Sequence, residues 1–249
     1  MTVLALETAS SAVATALADE SGLLSVFELR AGRRHAELLH VALQAMLETA
    51  GAELAEVTGV AVDVGPGLFT GIRVGVAAAK GYAMALGVPV VGLTSLEILA
   101  LGCKAAGRTA TIGVVDLRRG EVAWSLPPEE GEAAVDRHGP PEEFVGELEA
   151  YLDRLERRQG NDGPPVLAGD GALRYGDLFR AALAGRIALA GAELAVPPVG
   201  SLALRAVTEL AEGRALDPAE VRPAYLRDAD VRISWTTRHD APGRHAGVA

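Results

Sequence analysis

Three short apolar runs follow one another before any helical pattern begins, and this order restricts the fold more than any other feature. Val3–Glu7, Ala12–Ala18 and Leu23–Leu29 have strand length, and the turn-forming Asp19-Glu20-Ser21-Gly22 separates the last two. Strands joined by short turns pair as an antiparallel meander. Helical periodicity then takes over: Leu39, Ala42, Leu43, Met46, Leu47 and Ala50 recur at three and four, predicting a helix over Ala36–Ala50 that stops at Gly51. Gly59–Val64 reads as a buried strand, Ile72–Leu86 as a helix closing on Gly87, Val88–Leu93 as a strand and Ser95–Ala106 as a helix. Strand-strand-strand-helix-strand-helix is not the alternation of a doubly wound nucleotide-binding domain. It predicts an α/β chain of the actin-like, ribonuclease-H-like (ASKHA) two-lobed kind.

The second half repeats the mixture more loosely. Thr109–Leu117 and Glu121–Leu126 read as a hairpin around Arg118-Arg119-Gly120, and Pro127–Gly139 as a loop. A charged helix over Pro140–Arg158, a linker at Gly160–Pro165 and a strand at Val166–Ala168 come next. A helix near Leu173–Leu183, a short strand at Arg186–Leu189 and a helix over Leu202–Gly213 complete the pattern. The expected division is an N-terminal lobe over 1–106 and a smaller lobe over 107–227, whose last helix (about 202–213) packs back on the first. Residues 228–249 carry no periodic apolar pattern and are expected to form a flexible tail.

Charge and composition narrow the function. The chain carries a net charge of −10, and its basic residues form only small groups such as Arg33–Arg34 and Arg157–Arg158. A protein that holds nucleic acid alone neutralises phosphates with grouped Lys and Arg. Any RNA it serves is therefore expected to be held by another chain. With only 4% aromatic residues, the core must be mostly Ala, Val and Leu. A lone Cys103 excludes an internal disulfide and a cysteine metal cage, and its apolar surroundings make it a small buried hydrophobe. No basic leader precedes the first strand, and no uncharged apolar run approaches the roughly 20 residues a membrane span needs. A cytoplasmic protein without membrane contact is expected.

The loop Gly65-Pro66-Gly67-Leu68-Phe69-Thr70-Gly71 lies between a strand and a helix, where backbone N–H groups can meet a phosphate. It is not a Walker A loop, because no Gly-Lys-Ser/Thr ends it, and as a dinucleotide fingerprint it has Thr70 in place of the third glycine. Two readings stay open: phosphate contact through Gly65, Gly67, Thr70 and Gly71, or glycines that merely permit a tight turn. His35 and His40 stand five apart, too far around a helix to share a metal, so no metal site is expected. Glu7 ends the first strand, and Asp116 and Gly169-Asp170-Gly171 sit at other strand ends, where Asp commonly stabilises turns. No catalytic constellation stands out. The helix Ile72–Leu86 is small and apolar nearly all round, which calls for cover on more than one side. Two readings stay open for it: complete burial inside the monomer, or, together with Ala36–Ala50, a two-helix partner surface built from Leu39, Ala42, Leu43, Met46, Val74, Ala78, Gly81, Tyr82 and Ala85.

Several of these segments resemble the TsaB (YeaZ) family: Leu4–Ser10, Arg34–Leu39, Gly65–Gly75, Ala79-Lys80-Gly81, Asp116–Val122, Gly169-Asp170-Gly171 and Arg222–Arg227. The likeness is dense over 1–125, patchy to 227 and absent beyond. It implies the actin-like fold and a place as non-catalytic dimerisation subunit of the complex that makes threonylcarbamoyladenosine in tRNA. The implied partners are a TsaD-like paralogue, which carries the metal and transfers the group, and a TsaE-like ATPase. Contact with tRNA would be indirect, and a homodimer is expected when the paralogue is absent. No cofactor is required on this reading, though it leaves room for weak ATP or ADP binding at an interface of the complex. Two departures from the family pattern are Glu7, where Asp is usual, and Ala123, where an aromatic is common. The alternative is a free-standing actin-like ATPase or small-molecule kinase. That needs a magnesium carboxylate on the first strand as well as a phosphate loop.

Overall fold

A computed structural model describes residues 1–105, 110–128, 134–157 and 163–226. The expected tail lies outside the described residues. β1 (Val3–Glu7), β2 (Ala12–Asp19) and β3 (Gly22–Arg30) form the antiparallel meander. α1 (His35–Ala50) then leads to β4 (Gly59–Asp63), which pairs parallel to β1, and α2 (Phe69–Leu86) to β5 (Val90–Leu93), parallel to β4. The sheet order is therefore β3-β2-β1-β4-β5.

The second sheet repeats this plan. After α3 (Ser95–Ala105), the strands β6 (Thr111–Arg118), β7 (Glu121–Ser125) and β8 (Asp136–Gly139) pair antiparallel. α4 (Pro141–Arg157) then leads to β9 (Val166–Ala168), parallel to β6. Two short helices, α5 (Asp170–Arg174) and α6 (Gly176–Ala182), precede β10 (Ala188–Leu189), and α7 (Val199–Ala211) follows it. Read from its antiparallel end, the order is β8-β7-β6-β9-β10, the same sequence of roles as in the first sheet. This duplication of a meander with a parallel extension is the two-lobed actin-like fold that the strand order predicts.

Period-two alternation places β2 between two cores. Val13 and Leu17 turn towards α1 and α2, and Ala14, Ala16 and Ala18 towards α7. The second face is lined almost wholly by Ala and Val, which lets α7 lie close against the sheet. α3 bridges the lobes. Its Ile98 joins the first-lobe core, while Leu96, Leu99 and the buried Cys103 pack under β6, β7 and β9. The second lobe concentrates the few aromatic side chains, with Trp124, Phe144 and Phe179 fully buried and in ring contact.

Several boundaries depart from the sequence reading, among them the start of α7 at Val199 rather than Leu202. α2 begins at Phe69 rather than Ile72, inside the glycine block. Asp136–Gly139, read as loop, is the edge strand β8. The stretch read as one helix near Leu173–Leu183 is broken into α5 and α6 at Tyr175.

Candidate functional site

Two places collect the residues singled out by sequence: the cleft between the lobes and the outer side of α1 and α2. At the cleft, the glycine loop runs from the end of β4 into α2 and packs on the turn after β1. Leu68 N–H donates to the Ala9 carbonyl (2.6 Å), and Thr8 Oγ1 donates to the Gly71 carbonyl (2.8 Å). A Cβ on Gly67 would collide with the Ala9 carbonyl, and one on Gly71 with the Thr8 carbonyl. Gly75 meets the Thr8 hydroxyl in the same way. Gly65 takes φ 94°, its N–H donates to Asp63 Oδ1 (2.8 Å) and its carbonyl accepts from Ser95 N–H (2.9 Å). The glycines thus serve close backbone approach and one positive-φ turn. Thr70 stands exposed on the first turn of α2.

The carboxylates near the cleft are turned inwards. Glu7 is fully buried and accepts from Ser10 N–H (2.9 Å) and Ser10 Oγ (3.0 Å), so it caps the turn that follows its own strand. Asp63, at the end of the adjacent strand, accepts from Ser95 Oγ (2.7 Å) as well as from Gly65. Burial raises the Glu7 carboxyl well above the ordinary range, with the Asp63 charge adding to it, and burial pushes Asp63 up to about 7. On the facing lobe, the buried Asp116 carboxylate is held by Arg118 (2.8 Å) and Arg174 (3.0 Å). Asp170 accepts from Asp116 N–H (2.9 Å), and burial raises its pKa. The cleft lined by Ser10, Gly67, Leu68, Asp116 and Asp170 encloses about 10 Å³, the room of a single water.

His35 is buried against the same turn. Its Nε2 lies 2.9 Å from the Ser10 carbonyl, which can only accept, so Nε2 carries the proton. His40 is exposed on α1. Among the described residues, no group of three or more His, Cys, Asp or Glu is arranged to hold a metal.

The helical face divides the predicted partner residues into two sets. Leu39, Ala42, Leu43 and Met46, expected at the surface, are instead 0–4% exposed and belong to the first-lobe core. The correction has a simple cause. The widest apolar stripe of an amphipathic helix is the one its own sheet covers first. Val74, Ala78 and Tyr82 are half-buried along the seam with α1, and Gly81 and Ala85 are exposed. Beside them stand two large apolar side chains that the sequence reading missed, Met84 (70% exposed) and Val41 (54%). Both lie off the recurring stripe, so periodicity alone marks them as solvent positions. Gly81 is mid-helix, and a Cβ built on it meets nothing within 4 Å. A groove of about 310 Å³ runs beside this face, between the end of α1 and Tyr82, floored by Leu43, Leu47 and Leu54.

With the geometry in place, comparison with known proteins decides the family. Residues 27–140, spanning α1, α2 and the first hairpin of the second lobe, match the family model "TsaD: tRNA N6-adenosine threonylcarbamoyltransferase". The Escherichia coli K12 tRNA threonylcarbamoyladenosine biosynthesis protein TsaB is 28% identical over 236 residues, covering 94% of this chain and 97% of that protein. The solved YeaZ structure from Pseudomonas aeruginosa superposes with a TM-score of 0.71 at 28% identity, covering 90% of this chain and 99% of that one. The chain belongs to the TsaB/YeaZ family. A more distant likeness, to component A of the Acidaminococcus fermentans (R)-2-hydroxyglutaryl-CoA dehydratase, has a TM-score of 0.51 at 11% identity and reflects the fold alone. The TsaB/YeaZ likeness runs nearly end to end, whereas the TsaD family model matches residues 27–140, a stretch that includes α1 and α2.

Proposed function

We propose that this chain is a non-catalytic dimerisation subunit in the synthesis of threonylcarbamoyladenosine in tRNA, docking a TsaD-like paralogue through the outer face of α2 and the adjoining flank of α1. One observation carries the docking surface. Gly81 is exposed in the interior of a helix, where glycine is destabilising by roughly 0.5–1 kcal/mol relative to alanine, and nothing among the described residues needs its lack of a side chain. A gap of that kind leaves room for a second backbone approaching from outside. Ala77 and Ala85 keep the same side low, and Met84 and Val41 supply apolar contact. Two such helices meeting an equivalent pair could bury the roughly 1,200–2,000 Å² of a stable interface.

The paralogue is favoured as occupant because the TsaD match covers both helices, so like surfaces can pair about a pseudo-twofold axis. In its absence, two copies of this chain pair through the same face. A TsaE-like ATPase acts on the assembled pair, and tRNA is held by the other subunits, in keeping with the net charge of −10. The chain needs no cofactor of its own, works in the cytoplasm, and meets ATP or ADP only where the complex forms a site. The reading is tested by co-expression with the TsaD-like chain of the same genome. Ala85→Arg, on an exposed position, should abolish co-purification and lower modified adenosine in tRNA while leaving the fold intact. Undiminished co-purification would refute it.

A further inference from the structure

The face of α2 has an edge that the two-helix description leaves out. After α7 the chain returns along α2 as a strap, residues 214–226. Leu216 bridges to Val90, Val221 is buried in the first-lobe core, and Ala224 N–H donates to the Val64 carbonyl (2.8 Å). Lys80 donates to the carbonyls of Ala219 and Val221 (both 3.3 Å), and Arg222 grips the same two carbonyls. At the head of α2, the Arg73 guanidinium lies 3.8 Å from the centre of the Phe69 ring, and its Nε donates to the Tyr225 hydroxyl (2.9 Å). Phe69 and Tyr225 are themselves in ring contact at 5.3 Å.

Among the described residues, no carboxylate lies within salt-bridge distance of this cluster's positive charges. Among the described residues, Arg73, Lys80 and Arg222 form no salt bridge, in a chain where Arg34, Arg118, Arg137, Arg174, Arg180, Arg186, Arg205 and Arg214 all do. Asp217, in the strap itself, is turned onto Ala219 N–H (2.7 Å). Lys80 and Arg222 are spent on backbone carbonyls. Arg73 differs: its Nε is engaged and its plane is fixed by the ring, but its two terminal nitrogens make no hydrogen bond among the described residues. Those nitrogens form the fork that pairs with a carboxylate through two parallel bonds. At 100° per residue, Arg73 shares its side of the helix with Ala77, Gly81 and Met84, to within about 80°.

We propose that Arg73, set by Phe69 and Tyr225, is a carboxylate anchor at the rim of the partner face, and that the partner presents an Asp or Glu there beside its apolar contact. The assignment rests on the docking reading above. A protein carboxylate fits better than an RNA phosphate, because one free fork on a chain of net charge −10 cannot hold a polyanion, and because the fork is continuous with an apolar surface. Arginine is also among the side chains enriched where binding energy concentrates in protein interfaces.

The test is calorimetric titration of the full chain with the TsaD-like partner. Arg73→Gln should weaken binding by about tenfold or more, and Arg73→Lys should not restore it, because an ammonium offers no fork. Arg73→Gln within twofold of wild type, with Ala85→Arg abolishing binding, overturns the anchor and leaves the docking reading standing; if neither variant weakens binding, both fall. Should Arg73→Gln release the strap, seen as a lower thermal midpoint, the wild-type chain decides. Affinity falling at least about threefold from 50 to 300 mM salt supports the anchor, and salt-independent affinity overturns it. Arg73-dependent binding of tRNA to the isolated chain, with partner affinity unchanged, also overturns it.

Discussion

The two sides of α2 use the same residue for opposite ends. On the inner side, Gly71 and Gly75 exist because Thr8 lies where their side chains would be. On the outer side, Gly81 has open space around it. The inner glycines are explained by the monomer and the outer one is not, so the helix itself separates what the fold requires from what an assembly would require. The interlobe cleft shows a similar economy. Its carboxylates are satisfied by neighbouring groups, Glu7 by Ser10 and Asp63 by Gly65 and Ser95, and little space is left over.

Substitutions can break this contrast, beginning with the largest effect. Gly71→Ala drives a methyl into a backbone carbonyl that cannot rotate away, and should destabilise the protein by about 3 kcal/mol, at the upper end for overpacking. A denaturant midpoint close to wild type would show that the loop is looser than described. Next comes Asp63→Asn, which keeps an oxygen for Gly65 N–H and removes the charge. A carboxyl whose folded pKa is raised to about 7 is favoured while protonated, so its contribution is fully present below the unfolded value and is lost as pH rises through about 7. The Asp63→Asn variant should therefore gain on wild type as pH increases from about 4 to about 7, read from thermal midpoints across that range. Parallel curves would mean that Asp63 is not charged at a cost. The smallest effect is expected for Gly81→Ala, which should raise monomer stability by about 0.5–1 kcal/mol, with some loss of partner affinity. Destabilisation instead would reveal an internal role for this glycine.

The fold was largely readable because its signals are local. The order of strands, the stripe of α1 and the stop at Gly51 each follow from periodicity and turn chemistry, and the Cys103 reading needed only its apolar neighbours. β8 was missed because Asp136-Arg137-His138-Gly139 shows no alternation; as an edge strand it gains its pairing from β7, not from its own side chains. The start of α2 was missed because glycines that look like loop residues can be helical where packing demands their smallness.

The candidate surface was only half legible, and for a physical reason. Periodicity marks an apolar stripe but not what covers it. In α1 the stripe of Leu39, Leu43 and Met46 is covered by the β-sheet of the same lobe, so assigning it to a partner exchanged inside for outside. In α2 the Ala and Gly residues surround the axis, and sequence alone cannot divide Ala79, fully buried, from Ala85, exposed. The Arg73–Tyr225 contact joins residues 152 positions apart, a separation that no local pattern reports.

The division of α2 into an inner, fold-determining side and an outer, partner-determining side is tested most directly by Gly81→Leu. The variant places a large side chain where the monomer has room, so its thermal midpoint should equal or exceed that of wild type. Titrated against the TsaD-like chain of the same genome, it should bind at least about 100-fold more weakly, a loss of roughly 2.7 kcal/mol. A stable variant that binds its partner as tightly as wild type would contradict the assignment of this face.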